Sequence, residues 1–89
     1  MIKSIWKYAV NPGGEFEHDM PVGAEVLAVA TQHGVPVMWA KVGLTPICET
    51  RRFKTEVTGL YFDDVGLSYI GTFQLDGGDF VGHVFEVSL

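Results

Sequence analysis

The stretch SYIGTFQLDGGDFVGHVFEV, residues 68–87, carries the clearest fold signal in the chain. Two runs rich in apolar and aromatic residues are separated by Asp and Gly, which is typical of a β-hairpin. With Gly77 and Gly78 as the loop, the register predicts three cross-strand pairs: Leu75 with Phe80, Phe73 with Gly82, and Thr72 with His83. The Phe73 ring would then cover the bare backbone of Gly82.

A second hairpin is predicted for residues 25–42, although GAEVLAVATQHG, residues 23–34, also fits a helix ending at Gly34. The β-branched side chains here and the Val-rich segment beyond the turn favour strands. A turn at His33 and Gly34 places Ala28 opposite Trp39 and Ala30 opposite Val37. Both faces are mostly apolar, so the hairpin should lie in a sandwich, a barrel or a subunit interface. Pro36 lacks an N–H and predicts a local sheet edge.

Alternation also predicts strands in residues 2–10, 15–20 and 47–57. For the first two we expect a hairpin with a five-residue connection at 11–15, because a four-residue loop at 11–14 would place Tyr8 opposite Glu17. The preferred register pairs Tyr8 with His18, Trp6 with Met20, and Lys7 with Asp19. Turn signals recur roughly every ten residues. The chain is therefore expected to be one all-β domain, residues 1–89, forming a small antiparallel sandwich or barrel-like meander of about six to seven strands.

The composition favours self-association. The chain is 47% hydrophobic and only 19% charged, whereas a domain of this size buries only about 60% of its unfolded surface. We therefore expect a homo-oligomer built on the apolar strand faces of residues 25–42 and 69–87. The net charge of −5 argues against DNA or RNA as a partner, since phosphate backbones require clustered Lys and Arg.

Several other classes lack support in the sequence. Cys48 is the single cysteine, and no Cys/His array has zinc spacing, so neither a disulfide nor a metal is expected. No apolar run suits a signal peptide or a membrane span, which favours the cytoplasm and no membrane partner. Phosphate-binding loops and the motifs of Ser or Cys nucleophiles are absent. We expect no cofactor and no enzymatic activity.

Four motifs together carry a family resemblance: IWKY near the start, PVGAEVLAVATQHGVPVMWA, ETRRF, and YIGTFQL followed by GG and VGHVFE. The chain resembles a small family of bacteriophage and prophage proteins whose function is unknown. The resemblance implies a phage-encoded accessory protein and no particular activity. The family pattern F-x-x-x-G-T-G-H corresponds to FKTEVTGL, which matches at Thr58 and Gly59 and departs at Val57 and Leu60. A role of the family histidine is therefore not carried to Leu60.

Some side chains could bind a ligand or serve the fold. Arg51 and Arg52 point to opposite strand faces, so one should be covered and need a carboxylate, from Glu49 or Glu56, or a ligand phosphate. Trp39 could be a core residue or a platform on which a purine stacks. His83 shares a face with apolar side chains and is expected to be a satisfied core residue. The candidate ligand-binding residues are His33, Trp39, Arg51, Arg52, Thr58, Tyr61 and His83.

These features leave three functional hypotheses. The first is a phage anti-defence protein that binds a host nucleotide immune signal and sequesters it without cleaving it. The second is an inhibitor that docks on a host protein through the acidic strand containing Glu15, Glu17 and Asp19. The third is a small virion or assembly protein.

Overall fold

The computed structural model describes residues 1–88 and contains seven strands and one short 3-10 turn, Asp76–Gly78. The strands are β1 (Lys3–Ala9), β2 (Gly14–Pro21), β3 (Glu25–Gln32), β4 (Val35–Gly43), β5 (Cys48–Val57), β6 (Leu67–Leu75) and β7 (Phe80–Val87). They form two antiparallel sheets with the strand orders β1-β4-β3 and β2-β5-β7-β6. The all-β prediction is confirmed. Within the described residues, no helix is long and apolar enough to span a membrane.

Both hairpins predicted from short turns are confirmed in register. Ala28 lies opposite Trp39 and Ala30 opposite Val37, so residues 25–32 form a strand and not the alternative helix. His33 and Gly34 have φ angles of 52° and 77°, and two left-handed residues match the twist of a two-residue hairpin turn. In the final hairpin the pairs are again those predicted: Leu75 with Phe80, Phe73 with Gly82, and Thr72 with His83.

The predicted hairpin between β1 and β2 is wrong. Strand β1 pairs with β4, and β2 pairs with β5 in the other sheet. The acidic face of β2 favours β5 as its partner strand. Glu15 lies opposite Lys54 and Glu17 opposite Arg52, and opposite charges on facing residues stabilise a strand pair. The ladder between β1 and β4 ends where Ala9 faces Val37, the residue that follows Pro36. Beside Pro36 itself the Val10 N–H still donates to the Pro36 carbonyl at 3.2 Å, so the regular ladder stops at this proline but the side predicted to be an edge has a neighbouring chain segment.

The core lies between the two sheets. Its buried side chains are Val10, Met20, Ala24, Met38, Ala40, Val42, Phe53, Phe73 and Val84. On one side the sandwich is closed by contacts between β3 and β6: Thr31 donates to the Gln74 carbonyl at 2.7 Å, and Val29 packs against the backbone of Gly71. On the other side β1 and β2 end their sheets. They are linked there by His18, whose Nε2 donates to the Ala9 carbonyl at 2.7 Å.

Candidate functional site

The candidate binding site is a cleft on the outer face of the three-stranded sheet, beside the β3–β4 turn. It has a volume of about 350 Å³, and its lining residues are Lys7, Ala9, Gln32, His33, Val35 and Val37. Three strands contribute to it because β4 lies between β1 and β3. The cleft brings together segments that are 25 residues or more apart in sequence, such as Lys7 and Gln32.

Alternation along β4 places Trp39 beside this cleft, directly opposite its lining residue Lys7, and we name this surface the Trp39 cleft. Met38 and Ala40 are fully buried in the core, so Trp39 between them points to the outer face. Its direct neighbours across the ladder are Lys7 on β1 and Ala28 on β3. The Trp39 side chain is half-buried. Trp39 is therefore neither a core residue nor a freely exposed one.

Lysines give this face a positive charge within an acidic protein. Lys3, Lys7 and Lys41 lie on the outward positions of β1 and β4, opposite Gly43, Trp39 and Ile5 respectively. Lys41 is neutralised by Glu25 at 3.2 Å. The Lys7 ammonium lies 6.0 Å from the centroid of the Trp39 ring and donates to Gln32 Oε1 at 2.8 Å.

This arrangement suits a planar ligand that carries a negative charge. A half-exposed indole can stack on a flat ring, and an ammonium beside it can pair with an anionic group. The Gln32 amide and the His33 imidazole add hydrogen-bonding groups at the rim. The apolar side chains of Val35 and Val37 form the rest of the surface.

Arg51 is engaged elsewhere. Its Nε and Nη2 donate to Glu86 Oε2 and Oε1 at 2.7 and 2.8 Å, and its Nη1 donates to the Ala24 carbonyl. The hydrogen bond with Glu86 raises the Arg51 pKa above its ordinary value. The carboxylate partner is thus Glu86, not Glu49 or Glu56. Arg52 lies on the outer face of the four-stranded sheet, where it contacts Glu15 at 3.3 Å, and neither arginine lines the Trp39 cleft.

A second polar cluster lies on the outer face of the four-stranded sheet. His83 Nε2 is 2.6 Å from the Thr58 hydroxyl, and His83 Nδ1 is 2.9 Å from the Thr72 hydroxyl. The Tyr69 hydroxyl extends this chain to Thr72 at 2.6 Å. His83 is half-buried on an outward position. The prediction that His83 lies in the core is therefore wrong, because the side chain is on the outer face of the sheet. Both of its ring nitrogens nevertheless have hydrogen-bond partners, as predicted for a satisfied histidine.

Aromatic side chains border this second cluster. Phe85 lies between Phe62 and Tyr69, with ring centroids 5.4 and 5.7 Å away. Tyr61, in the same β5–β6 connection, is fully exposed. Of the predicted site residues, Thr58 and His83 are therefore hydrogen-bonded to each other on the four-stranded sheet. His33 and Trp39 lie at or beside the cleft on the three-stranded sheet, so the two groups are on opposite sheets.

The whole chain, residues 1–89, matches the family described as Domain of unknown function (DUF7352). The protein belongs to this family. No curated protein and no solved structure matches the chain. Membership agrees with the resemblance seen in the sequence to a family of unknown function, and it assigns no activity to either cluster of this DUF7352 protein.

Of the residues that line the cleft, the sequence predicted only His33 as a site residue and missed the other two polar side chains, Lys7 and Gln32. Alternation alone indicates that Lys7 shares a face with Lys3 and Ile5, but its place beside Trp39 depends on the pairing of β1 with β4. Thr72 was predicted opposite His83, and its hydroxyl could have been recognised as a hydrogen-bond partner from that register. Tyr69 joins the same network from three residues earlier.

Proposed function

We propose that this DUF7352 protein binds a nucleotide-derived signal in the Trp39 cleft and sequesters it without cleaving it. The observation that carries the proposal is the Lys7 ammonium placed 6.0 Å from the centroid of a half-exposed Trp39 ring. Stacking on an aromatic ring accepts any base, and the neighbouring ammonium supplies a partner for phosphate.

The size and lining of the cleft support a small ligand. Its volume of about 350 Å³ lies at the lower end of the range for small-molecule sites, about 300–1,000 Å³. The described residues lining it include no hydroxyl, thiol or carboxylate side chain. The two basic nitrogen groups, on Lys7 and His33, are assigned to holding the ligand by charge and hydrogen bonds, so retention of the ligand is proposed and not its cleavage.

The biological setting of the proposal comes from the sequence. A phage-encoded member of this family would act in the cytoplasm of the bacterial host, where immune signals made of nucleotides are produced. An abundant binding protein lowers the free concentration of such a signal by mass action. Retention of the ligand is then sufficient, and no catalysis is required.

Titration with cyclic dinucleotides and ADP-ribose-type signals tests the proposal. The chain has two tryptophans, so the Trp6→Phe variant leaves Trp39 as the reporter, and its fluorescence should be quenched as ligand binds. Calorimetry on Trp39→Ala should show an affinity loss of about 5- to 150-fold, equivalent to about 1–3 kcal/mol of stacking. Lys7→Gln should reduce both the affinity and its dependence on salt.

Arg52→Gln is the matched control, because Arg52 lies on the opposite sheet near Glu15 and should leave the affinity unchanged. Thermal melts of each variant separate lost binding from lost folding. If the wild type binds none of these nucleotides, the sequestration proposal is overturned.

The inhibitor hypothesis would then take first place. It is favoured by the position of the acidic residues Glu15, Glu17 and Asp19 on β2, which ends its sheet. An unpaired edge with this charge could accept a basic strand of a host protein. The virion or assembly hypothesis rests on the large hydrophobic side chains that remain exposed.

A further inference from the structure

Strands β1 and β2 lie on the same side of the sandwich, each at the end of its own sheet. Along the strand direction, Tyr8 of β1 and His18 of β2 lie at the same level, since the centroids of their rings are 5.2 Å apart. Lys3 faces Gly43 and Pro21 faces Cys48, so the start of β1 and the end of β2 flank the short β4–β5 connection. The two strands therefore run in opposite directions on either side of the gap between the sheets.

The two edges carry opposite charges. The outward positions of β1 include Lys3 and Lys7, whereas those of β2 include Glu15, Glu17 and Asp19. Charges on an edge strand often serve to prevent sheets from joining. Edge strands with charges of the same sign would best keep two copies of the protein apart, whereas the oppositely charged β1 and β2 edges attract each other.

An uncovered apolar surface accompanies these edges. Trp6 lies on the face of β1 that points toward the inside of the sandwich, opposite the buried Ala40, yet it is 49% exposed. Ile2, just before β1, is 74% exposed. Strand β2 belongs to the other sheet, so no strand of the described chain continues the sheet beyond β1 to cover them. A tryptophan on an inward face with half its surface in water indicates a missing neighbour.

We propose that a second copy of this chain supplies that neighbour. A twofold axis parallel to the strands places β1 of each copy against β2 of the other, antiparallel, on both sides of the axis. Each three-stranded sheet then continues into the four-stranded sheet of the other copy. The two contacts are identical, so the assembly closes as a dimer and leaves neither edge free.

The register of this pairing follows from the shared height of Tyr8 and His18. With Tyr8 opposite His18 of the second copy, Lys7 lies opposite Asp19 and Trp6 opposite Met20. These are the same three pairs that the sequence predicted for a hairpin between β1 and β2 of one chain. Within one chain the two strands do not pair, because they belong to different sheets. The dimer uses the same complementarity between chains, and it buries Trp6 in the joined interior.

Charge reversal tests this pairing by sedimentation at micromolar concentration. The wild type should sediment with twice the 9.8 kDa mass of the chain. Lys7→Glu and Asp19→Lys should each weaken the dimer by about tenfold or more, because like charges then face each other. The double variant Lys7→Glu/Asp19→Lys should restore it.

Asp64→Lys is the matched control, because it makes the same charge change at an exposed site in the β5–β6 connection and should leave the dimer intact. Thermal melts are needed for Asp19→Lys, since Asp19 also accepts a hydrogen bond from Thr50 at 2.6 Å. Trp39→Phe leaves Trp6 as the single reporter, and its emission should move to shorter wavelength as the dimer forms.

A monomer throughout the micromolar range, an open polymer, or a double variant that fails to regain the dimer would each overturn the proposal. The outcome is separable from that for the nucleotide site. The double variant should regain the dimer while still lacking the Lys7 ammonium, and Trp39→Phe should dimerise normally whether or not any nucleotide binds.

Discussion

Arg51 and Glu86 form a two-pronged ion pair on the inner face of the four-stranded sheet, with N–O distances of 2.7 and 2.8 Å. The third donor of Arg51 reaches the Ala24 carbonyl, at the entry to β3. One guanidinium thus connects β5, β7 and the segment that leads into the other sheet. The side chains are 16% and 28% exposed, so water only partly screens the pair.

Replacing Arg51 should destabilise the protein through this network. Arg51→Ala leaves the Glu86 carboxylate and the Ala24 carbonyl without their donor, and we expect a loss of about 2–3 kcal/mol in the free energy of unfolding. Chemical denaturation measures it. Arg52→Ala is the control, since Arg52 is half-exposed and its contact with Glu15 is 3.3 Å, so its loss should be about 0–1 kcal/mol. Equal losses for the two arginines would contradict the assignment.

The accuracy of the sequence-based predictions depended on distance along the chain. The β3–β4 and β6–β7 hairpins were predicted in the correct register, because short turns such as His33 and Gly34 leave little freedom in which residues can pair. The β1–β2 pairing had the same kind of complementary pattern and was wrong. The strand that β2 pairs with instead, β5, begins at Cys48, whereas β2 ends at Pro21, and alternation alone does not rank partners so far apart in the sequence.

The candidate site followed the same rule. His33 and Trp39 lie on one hairpin, so their shared neighbourhood follows from the predicted turn. Lys7 reaches the cleft only through the pairing of β1 with β4. The sequence predicted Glu49 or Glu56 as the carboxylate partner of Arg51, whereas the observed partner is Glu86, 35 residues away. The need for a carboxylate was predictable from the charge, whereas its identity required the order of strands in the sheet.

Gly82 should not tolerate a larger side chain. A Cβ atom at this position would overlap the Phe73 ring, lying 2.6 Å from its Cε1, and would lie 3.0 Å from Thr55 Cγ2. Gly82→Val should therefore reduce the free energy of unfolding by about 1–3 kcal/mol through overpacking. Gly13→Ala is the control, because a Cβ there meets no atom within 4 Å. Thermal denaturation of both variants tests the contact, and a stable Gly82→Val protein would contradict the observed register.

Removing the Tyr8 hydroxyl should stabilise the protein. Among residues 1–88 this buried hydroxyl has no hydrogen-bond partner, and an unsatisfied buried polar group costs about 1–3 kcal/mol. Tyr8→Phe keeps the ring beside His18 and should gain about 1 kcal/mol. A loss of stability in urea denaturation at neutral pH would indicate that the hydroxyl makes a favourable contact.

The same tyrosine predicts a dependence on pH. Burial is the main cause that raises the Tyr8 pKa above its ordinary value of 10.0, followed by the nearby Cys48. Because the Tyr8 pKa is higher in the folded than in the unfolded state, the folded protein favours the neutral phenol. The contribution of this difference to the free energy of unfolding is fully present below the unfolded pKa of about 10, and it is lost as the pH rises through the folded pKa. The stability of the wild type relative to Tyr8→Phe should therefore fall as the pH rises above about 10.

Met38 and Trp39 are adjacent on β4 and point to opposite faces, so truncating each should give different results. Met38 is fully buried, and Met38→Ala should cost about 2–5 kcal/mol. Trp39→Ala removes more atoms, but the ring is only half-buried on the outer face, so we expect a smaller loss of about 1–2 kcal/mol and a folded protein. Denaturation curves measured side by side make the comparison. If Trp39→Ala loses as much stability as Met38→Ala, the indole serves mainly to pack the sheet, and the proposed nucleotide site would lack its stacking surface.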